Sequence, residues 1–383
     1  MSSPIFLDYA ASTPTDPGVV QVMSQHLAMD GVFANPASRG HVYGWQADEA
    51  VETARVDIAK TLNADPREIV WTSGATESDN LAIKGLLERG KRLGRLHLIT
   101  STIEHKAILD TFGWMETQGF SVTYISPDAQ GVVSAEAVAQ AIRPDTLIAS
   151  IMQVNNELGS VSDIGAIAKA CRQRGVLSHT DAAQSYGKVP VDVKALDVDL
   201  LSLSGHKIYG PKGVGALYVR RAEGLTLAPQ IHGGGHEMGM RSGTLPTHQI
   251  VGLAAAAKLM HEQMEDETRR IGALRNRFAS HLAQIPEVRL TSNPEACIPQ
   301  IVNVAFGGVD GETLLLALSD LAISTGSACN STSVEPSHVL RGIGLSDALA
   351  QASLRFSFGR YTTSADVDQA TTHLAAVLGR LRQ

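Results

Sequence analysis

The hydrophobic pattern of the chain alternates between short apolar runs and segments in which apolar residues recur every three or four positions. The recurring segments predict helices over 51–62, 134–142 and 163–174. The short apolar runs between them predict strands over 68–72, 96–100, 147–152, 176–179, 198–203 and 215–219. Strands that alternate with helices predict an α/β fold in which helices cover both faces of a largely parallel sheet.

After about residue 249 the pattern changes to one long, charged helix, which is predicted over 250–284. We expect this helix to lead from a large domain into a smaller carboxy-terminal one. A chain of 383 residues is long enough for more than one domain.

The composition is ordinary for a globular protein, with 44% hydrophobic and 19% charged residues. A formal net charge of -7 argues against nucleic acid or a membrane as a partner. A strand-like motif begins at residue 5, which leaves no room for a targeting peptide. The three cysteines, Cys171, Cys297 and Cys329, are too sparse for a disulfide framework or a structural zinc site. A reducing cytoplasm is the expected location.

Lys207 is the first candidate for chemistry, because it follows the predicted strand 198–203 in the motif Ser204-Gly205-His206-Lys207. A lysine at the carboxyl end of a buried strand can lose solvation and form a Schiff base with a carbonyl cofactor. Pyridoxal phosphate fits this setting, since it needs a lysine for its aldehyde and hydroxyls for its phosphate. The alternative is a solvated lysine at a strand end.

Other polar motifs also follow predicted strands, where an open α/β sheet binds its ligands. Ala75 and Thr76 open a helix whose N–H groups could cradle a phosphate, although a capping box of Thr76 and Asp79 explains the motif equally well. Asp181 could pair with a pyridinium nitrogen or cap a turn. His105 could stack on a flat ring or move a proton, or be a hydrogen-bonded structural histidine.

Cys329 lies in a run of small polar residues over 324–333, whereas structural cysteines lie among large apolar residues. Such a segment packs poorly and moves easily. An exposed thiol on a mobile loop suits a nucleophile that carries its product elsewhere. The alternative is a loop cysteine without a role.

Together these motifs resemble the cysteine desulfurases, specifically the IscS/NifS-like group of fold type I pyridoxal-phosphate enzymes. The matching motifs stand at 6–14, 35–38, 73–80, 104–106, 154–157, 204–207, 240–244, 327–329 and 354–357. The resemblance implies a large domain over 15–260, with a mostly parallel, seven-stranded sheet flanked by helices. It also implies a smaller α+β domain, formed by 1–14 and 261–383, which carries Cys329 on a mobile loop at about 324–335.

The resemblance further implies how pyridoxal phosphate is held. Lys207 would form the Schiff base, and His105 would stack on the ring. Asp181 would pair with the pyridine nitrogen, and Gln184 would hydrogen-bond the ring oxygen. The remaining cofactor contacts would come from Ala75, Thr76, Asn156, Ser204 and His206, joined by Thr244 from the other subunit of a homodimer.

The implied reaction converts L-cysteine to L-alanine. Arg355 would hold the substrate carboxylate, with Asn35 nearby, and Lys207 would take the α-proton. His105 would accept protons from the thiols and donate protons to them. The thiolate of Cys329 would accept the sulfur as a persulfide, and its loop would carry the persulfide to an acceptor such as an iron–sulfur scaffold protein.

Several alternatives stay open at this point. The chain stops about one long helix short of the usual tail of the group, which docks the scaffold, so scaffold docking is an open question. Cys329 could also be a transient iron–sulfur ligand. A selenocysteine lyase, a C–S lyase, or a sulfur-transfer platform are the alternative functions. Iron–sulfur assembly, tRNA thiolation, nitrogenase maturation and DNA sulfur modification are all candidate pathways.

Overall fold

The computed structural model describes residues 4–222, 224–291, 293–325 and 335–383, so Cys329 and most of its predicted loop lie outside the described residues. Helices α1 to α13 span Pro17–Ser24, Val42–Leu62, Ala75–Lys84, Leu87–Leu93, Lys106–Thr117, Ala135–Ala141, Ile164–Arg172, Val193–Leu196, Thr247–Leu282, Gly311–Ala317, His338–Gly342, Asp347–Gln351 and Ser364–Leu381. Strands β1 to β13 span Ile5–Phe6, Ile69–Thr72, His97–Ser101, Ser121–Ile125, Thr146–Ser150, Leu177–Asp181, Leu200–Ser204, Gly215–Val219, Val288–Leu290, Ile301–Phe306, Leu321–Ala322, Ser324–Thr325 and Ser353–Ser357.

Seven of these strands form the large sheet, in the order β2-β8-β7-β6-β5-β3-β4. The five strands from β7 to β4 are parallel, whereas β8 runs antiparallel to both β2 and β7. Every residue of β3, β5, β7 and β8 is buried, because helices such as α3 and α7 pack against the sheet. The predicted α/β fold with a largely parallel sheet is therefore confirmed.

The sequence located most of these strands within one or two residues, but two differences matter. The strand predicted over 176–179 continues to Asp181, so this carboxylate is the last residue of a strand and has the fixed position of a sheet residue. Strand β4, Ser121–Ile125, was not predicted. It lies at the edge of the sheet and buries only Ile125, so it lacks the apolar run that marks an interior strand.

The carboxy-terminal part of the chain forms a second, antiparallel sheet in the order β12-β13-β10-β9. Helix α9 joins the two parts, because Met260 packs in an apolar cluster of the large sheet and Phe278 in a cluster with Phe356 of the small one. The domain boundaries at residues 14 and 260 stay a prediction, which this change of cluster along α9 supports. In the described ranges, no helix is long and apolar enough to cross a membrane.

A buried ion pair fixes the loop between β8 and α9. Arg55 on α2 donates hydrogen bonds of 2.8 Å to both carboxylate oxygens of Glu237, which also accepts the N–H of Trp71 at 2.7 Å. Glu237 has a φ of 50°, a left-handed conformation that is unfavourable outside glycine. Its side chain is only 2% exposed. The carboxylate therefore holds a strained loop against the large sheet.

Replacing Glu237 by glutamine is expected to lower the free energy of unfolding by about 3 kcal/mol, because the buried guanidinium of Arg55 then loses its buried counter-charge and keeps only the exposed carboxylate of Glu52. The loss is measured by urea unfolding of the protein. The matched control is Asp266→Asn, which breaks an exposed pair with Arg269 and should change the free energy by less than about 0.5 kcal/mol. Equal effects of the two substitutions would contradict this expectation.

Candidate active site

A cavity of about 590 Å³ lies where the carboxyl ends of the parallel strands meet. Ser204 and Asp181 end β7 and β6, and Met152 and His105 follow β5 and β3. Most of the predicted site residues line this one cavity: Ala75, Thr76, His105, Asn156, Asp181, Gln184, Ser204, His206, Lys207 and Arg355. The fold thus gathers residues that are up to 280 positions apart in the chain, from Ala75 to Arg355.

One corner of the cavity is built to hold an anion. Helix α3 begins there at Gly74, which makes no side-chain cap, so the alternative capping box of Thr76 and Asp79 is wrong. Gly74 has a φ of 151°, and a Cβ on the neighbouring Gly215 would stand 2.7 Å from its Cα. Both positions therefore require glycine. The uncapped N–H groups of the first helical turn, with the hydroxyls of Thr76 and Ser204 nearby, suit a phosphate.

Positive charge surrounds the same corner. Burial, together with the charges of Lys207, Lys212 and Lys188, lowers the pKa of His206 to about 4. His206 is therefore neutral at pH 7, and its Nδ1 lies 3.3 Å from the hydroxyl of Ser12. Lys212 also lines the cavity, although the sequence motifs did not single it out. This field favours a phosphorylated ligand over a neutral one.

Asp181 lines the same cavity from the end of β6. It is 5% exposed, and its Oδ1 accepts the N–H of Ala183 at 2.8 Å. Burial raises its pKa, while the neighbouring His105, the N–H of Ala183 and the ammonium of Lys207 oppose this rise. A cationic ring nitrogen placed against Asp181 would stabilise its charged form.

Two further buried carboxyl groups that the sequence did not reveal stand close to Asp181. Both oxygens of Asp79, which lines the cavity, are buried without a hydrogen bond of good geometry among the described residues, and Nε2 of His179 lies 3.7 Å from its Oδ1. Burial and the charge of Asp181 raise the pKa of Asp79 well above its usual value. Burial likewise raises the pKa of Glu104 to about 8, and Glu104 accepts hydrogen bonds from Ser101 and from the N–H of Met152.

His105 caps the amino terminus of α5. Its Nδ1 accepts the N–H of Ala107 at 3.1 Å, so the neutral imidazole carries its proton on Nε2. The alternative of a hydrogen-bonded structural histidine is therefore correct for one ring nitrogen. Since the ring also lines the cavity, the capping role and a role towards a ligand are compatible.

Lys207 lies in a short 3₁₀ turn that follows β7. Its Nζ donates to the carbonyl oxygen of Ala10 at 2.5 Å, and the Nε2 of Gln184 donates to the same oxygen at 2.8 Å. The amine is thus held at the cavity wall by the amino-terminal segment of the chain. This position differs from that of a solvated lysine at a strand end.

Arg355 on β13 is 6% exposed and is fixed from two sides. It donates to Oδ1 of Asp8 at 2.9 Å and to the carbonyl oxygen of Asn156 at 2.8 Å, while its Nε is buried without a hydrogen-bond partner among the described residues. The other oxygen of Asp8 accepts the hydroxyl of Ser324 at 2.8 Å. Ser324 pairs with Arg355 across β12 and β13, so the strand that precedes the Cys329 segment lies beside this arginine.

Asn35 and Thr244 do not line the cavity of the single chain. Both are exposed. Asn35 lines a different surface depression, next to Glu237, and its Oδ1 accepts the N–H of Ala37 at 2.9 Å. Within one chain Asn35 therefore does not stand beside Arg355. The contribution of Thr244 from a second subunit stays a prediction.

Neither of the described cysteines lies on the cavity. Cys171 is buried in α7, and burial raises the pKa of its thiol to about 12, which makes it inert. Cys297 is partly exposed in a bridge with Ser160. Cys329 thus remains the candidate thiol.

These residues fit pyridoxal phosphate. A phosphate matches the uncapped helix end at Gly74, an aldehyde matches the amine of Lys207, and a pyridine nitrogen matches the buried carboxyl of Asp181. The buried Oδ1 of Asn156 has no hydrogen-bond partner among the described residues and is left for a ligand. The fold and the cavity define a fold type I pyridoxal-phosphate enzyme.

Comparison with known proteins narrows this class. The sequence model of the family Aminotransferase class-V matches residues 5–370. The cysteine desulfurase IscS of Klebsiella pneumoniae is 54% identical over 383 residues, which is 100% of this chain and 95% of that protein. A solved NifS-like protein has a TM-score of 0.92 and 34% identity, and covers 99% of this chain and 100% of its own. The solved SspA in complex with cysteine has a TM-score of 0.83 and 44% identity, and covers 94% of this chain and 99% of its own.

The chain belongs to the cysteine desulfurases of the class-V aminotransferase family. The resemblance that the sequence motifs indicated is thereby confirmed, and so is pyridoxal phosphate as the cofactor of this class.

Proposed function

We propose that this protein removes sulfur from L-cysteine, releases L-alanine and keeps the sulfur on Cys329 as a persulfide. One observation carries this proposal: the amine of Lys207 and the guanidinium of Arg355 line one cavity, and the strand paired with Arg355 leads towards Cys329. A relative solved with cysteine, SspA, supports L-cysteine as the substrate.

Each residue at the cavity has a part in this reaction. Arg355 binds the substrate carboxylate, for which its buried Nε and its remaining N–H groups are suited. Asp181 keeps the cofactor nitrogen protonated, so that bound pyridoxal phosphate can store the electron pair left at Cα. Lys207 would hold the cofactor aldehyde and, as a free amine, would take the α-proton of the substrate. His105 moves protons on the substrate thiol through its Nε2.

The sulfur transfer balances without an external oxidant. The thiolate of Cys329 attacks the substrate sulfur and forms the S–S bond, the substrate C–S bond breaks, and its electron pair stays on the departing carbon skeleton. Protonation of that skeleton yields alanine. Cys329 follows Thr325, which lines the cavity, by four residues, and four extended residues span at most about 14 Å. The chain can therefore bring this thiol to the substrate.

Replacing Arg355 by lysine is expected to raise the KM for L-cysteine by roughly 10- to 100-fold, because one ammonium cannot reproduce the charge-assisted hydrogen bonds of a guanidinium. Steady-state alanine formation measures this change. The matched control is Arg341→Lys on α11, where the side chain forms an exposed pair with Asp347 and should leave KM unchanged. An unchanged KM in the Arg355 variant would exclude it as the carboxylate partner.

The proposed function is tested by incubating the purified protein, loaded with pyridoxal phosphate, with L-cysteine. Equal amounts of alanine and of sulfide released by a thiol reductant are expected, together with a protein-bound persulfide before the reductant is added. Pyruvate and ammonia in place of alanine would instead establish a C–S lyase. Activity restricted to selenocysteine would establish a selenocysteine lyase.

We further propose a cytoplasmic homodimer that passes its persulfide to an acceptor protein, such as an iron–sulfur scaffold. Thr244 is exposed and does not line the cavity of its own chain, so the cofactor contact that the resemblance implies for it would require a second subunit. Light scattering of the purified protein should give twice the mass of 40.6 kDa. We also propose that the persulfide can supply sulfur for tRNA thiolation. Cys329 would in addition be a transient ligand of an iron–sulfur cluster.

A further inference from the structure

Lys188 is a buried lysine that no motif singled out. It is 8% exposed, and its Nζ donates a hydrogen bond of 2.7 Å to Oε1 of Gln184, a neutral amide. It lines a small void behind the main cavity, whereas Gln184 lines the main cavity itself. Burying an amine without a carboxylate partner is costly, which points to a function for this contact.

The contact decides which way the amide of Gln184 faces. An ammonium has only donors, so it must meet the amide oxygen. On the other side, the carbonyl of Ala10 is an acceptor and meets the amide nitrogen, at 2.8 Å. Lys188 and the carbonyl of Ala10 therefore favour the same orientation of the Gln184 amide. Since Nε2 carries two hydrogens, one remains for the cavity.

The same carbonyl of Ala10 also accepts Nζ of Lys207, so a chain of hydrogen bonds joins the two lysines through Gln184. Burial, aided by the positive charges of Lys207 and Arg355, lowers the pKa of Lys188 to about 7. The neutral amine retains two N–H donors but also has a lone pair that can accept, so it is the ammonium form that excludes the reversed amide.

We propose that Lys188 is a positioning residue, which orients Gln184 so that an amide N–H, and not the amide oxygen, faces the ring oxygen of pyridoxal phosphate. The ring oxygen is thereby selected as a hydrogen-bond acceptor. This inference rests on the proposed function only for the identity of the cofactor.

The test compares two ligands of the cofactor-free protein: pyridoxal phosphate and its 3-deoxy analogue, which lacks the ring oxygen. The dissociation constants are measured by equilibrium dialysis, and their ratio reports the hydrogen bond to the ring oxygen. In Lys188→Met the ratio is expected to shrink by up to about tenfold, because the carbonyl of Ala10 alone then favours this orientation of the amide. Gln184→Met should shrink it as much, and the double variant should add nothing further.

Lys188→Gln is the matched control, since it replaces the amine with another N–H donor and should keep most of the wild-type ratio. Methionine fills the space of lysine without its buried charge, so Lys188→Met is expected to fold, and Lys188→Leu is the second variant for the same loss. A ratio unchanged in Lys188→Met, or an equal weakening of both ligands, would overturn the inference alone. A wild-type protein that binds neither ligand would overturn the proposed function as well.

Discussion

Replacing Lys207 by alanine is expected to abolish the absorption band of the cofactor Schiff base and to lower alanine formation from L-cysteine by at least about 10²- to 10⁴-fold. Its Nζ stands at the cavity wall, held by the carbonyl of Ala10, and we propose that this amine both binds the aldehyde and takes the α-proton. Both the visible spectrum and the turnover of the variant are measured after incubation with pyridoxal phosphate.

Lys212→Ala is the matched control for this variant. Lys212 lines the same cavity and adds to its positive field, so its loss should weaken cofactor binding while the Schiff-base band and turnover persist at saturating cofactor. If Lys207→Ala kept an unchanged spectrum, the Schiff-base assignment would be refuted. If both variants lost the band, the loss would result from the weakened positive field of the cavity and not from the missing amine of Lys207.

Replacing Cys329 by alanine is expected to stop sulfur transfer and leave the cofactor spectrum unchanged. The persulfide needs a protein thiolate, and loss of a catalytic nucleophile lowers turnover by a factor on the order of 10³ or more. Sulfide release in the presence of a reductant, and persulfide labelling in its absence, are the two measurements. The intact spectrum distinguishes a chemical defect from a folding defect.

Cys297→Ala is the matched thiol control, because Cys297 is partly exposed and lies away from the cavity. It should retain both persulfide labelling and turnover. Sulfide release that survives in Cys329→Ala would contradict the proposed mechanism, and labelling that moves to Cys297 would identify a different acceptor thiol.

Asp8 contacts both Arg355 and the strand that precedes Cys329 in the chain. One carboxylate oxygen of Asp8 holds Arg355 and the other holds Ser324, on the strand that precedes Cys329. The substrate-binding group and the base of the cysteine-bearing segment are therefore tied to a single side chain. Because Asp8 and Arg355 are 347 positions apart, local sequence pattern could not reveal this link.

The sequence by itself determined the α/β architecture and the position of Lys207. Burial on both faces of a sheet demands continuous apolar runs, and these are visible in the sequence for β7 and β8. Residues that follow such runs converge at one sheet edge, which is why Asp181 and Lys207 could be proposed together as site residues before the resemblance added Ser204. The edge strand β4 was not predicted from the sequence because only one of its residues is buried, so it lacks a continuous apolar run.

Only the tertiary structure decided the contacts between distant residues. Asp8 carries no local pattern that distinguishes it from a surface charge, yet it is held at the site by Arg355, 347 positions away. The burial of Lys188 and Asp79 beside the cavity likewise becomes visible only in the folded chain. The capping alternative for Thr76 was likewise decided by the backbone at Gly74. The physical reason is that the spacing of apolar residues predicts which residues of a helix or strand are buried. Which side chains then contact each other depends on how the buried faces of separate elements pack together.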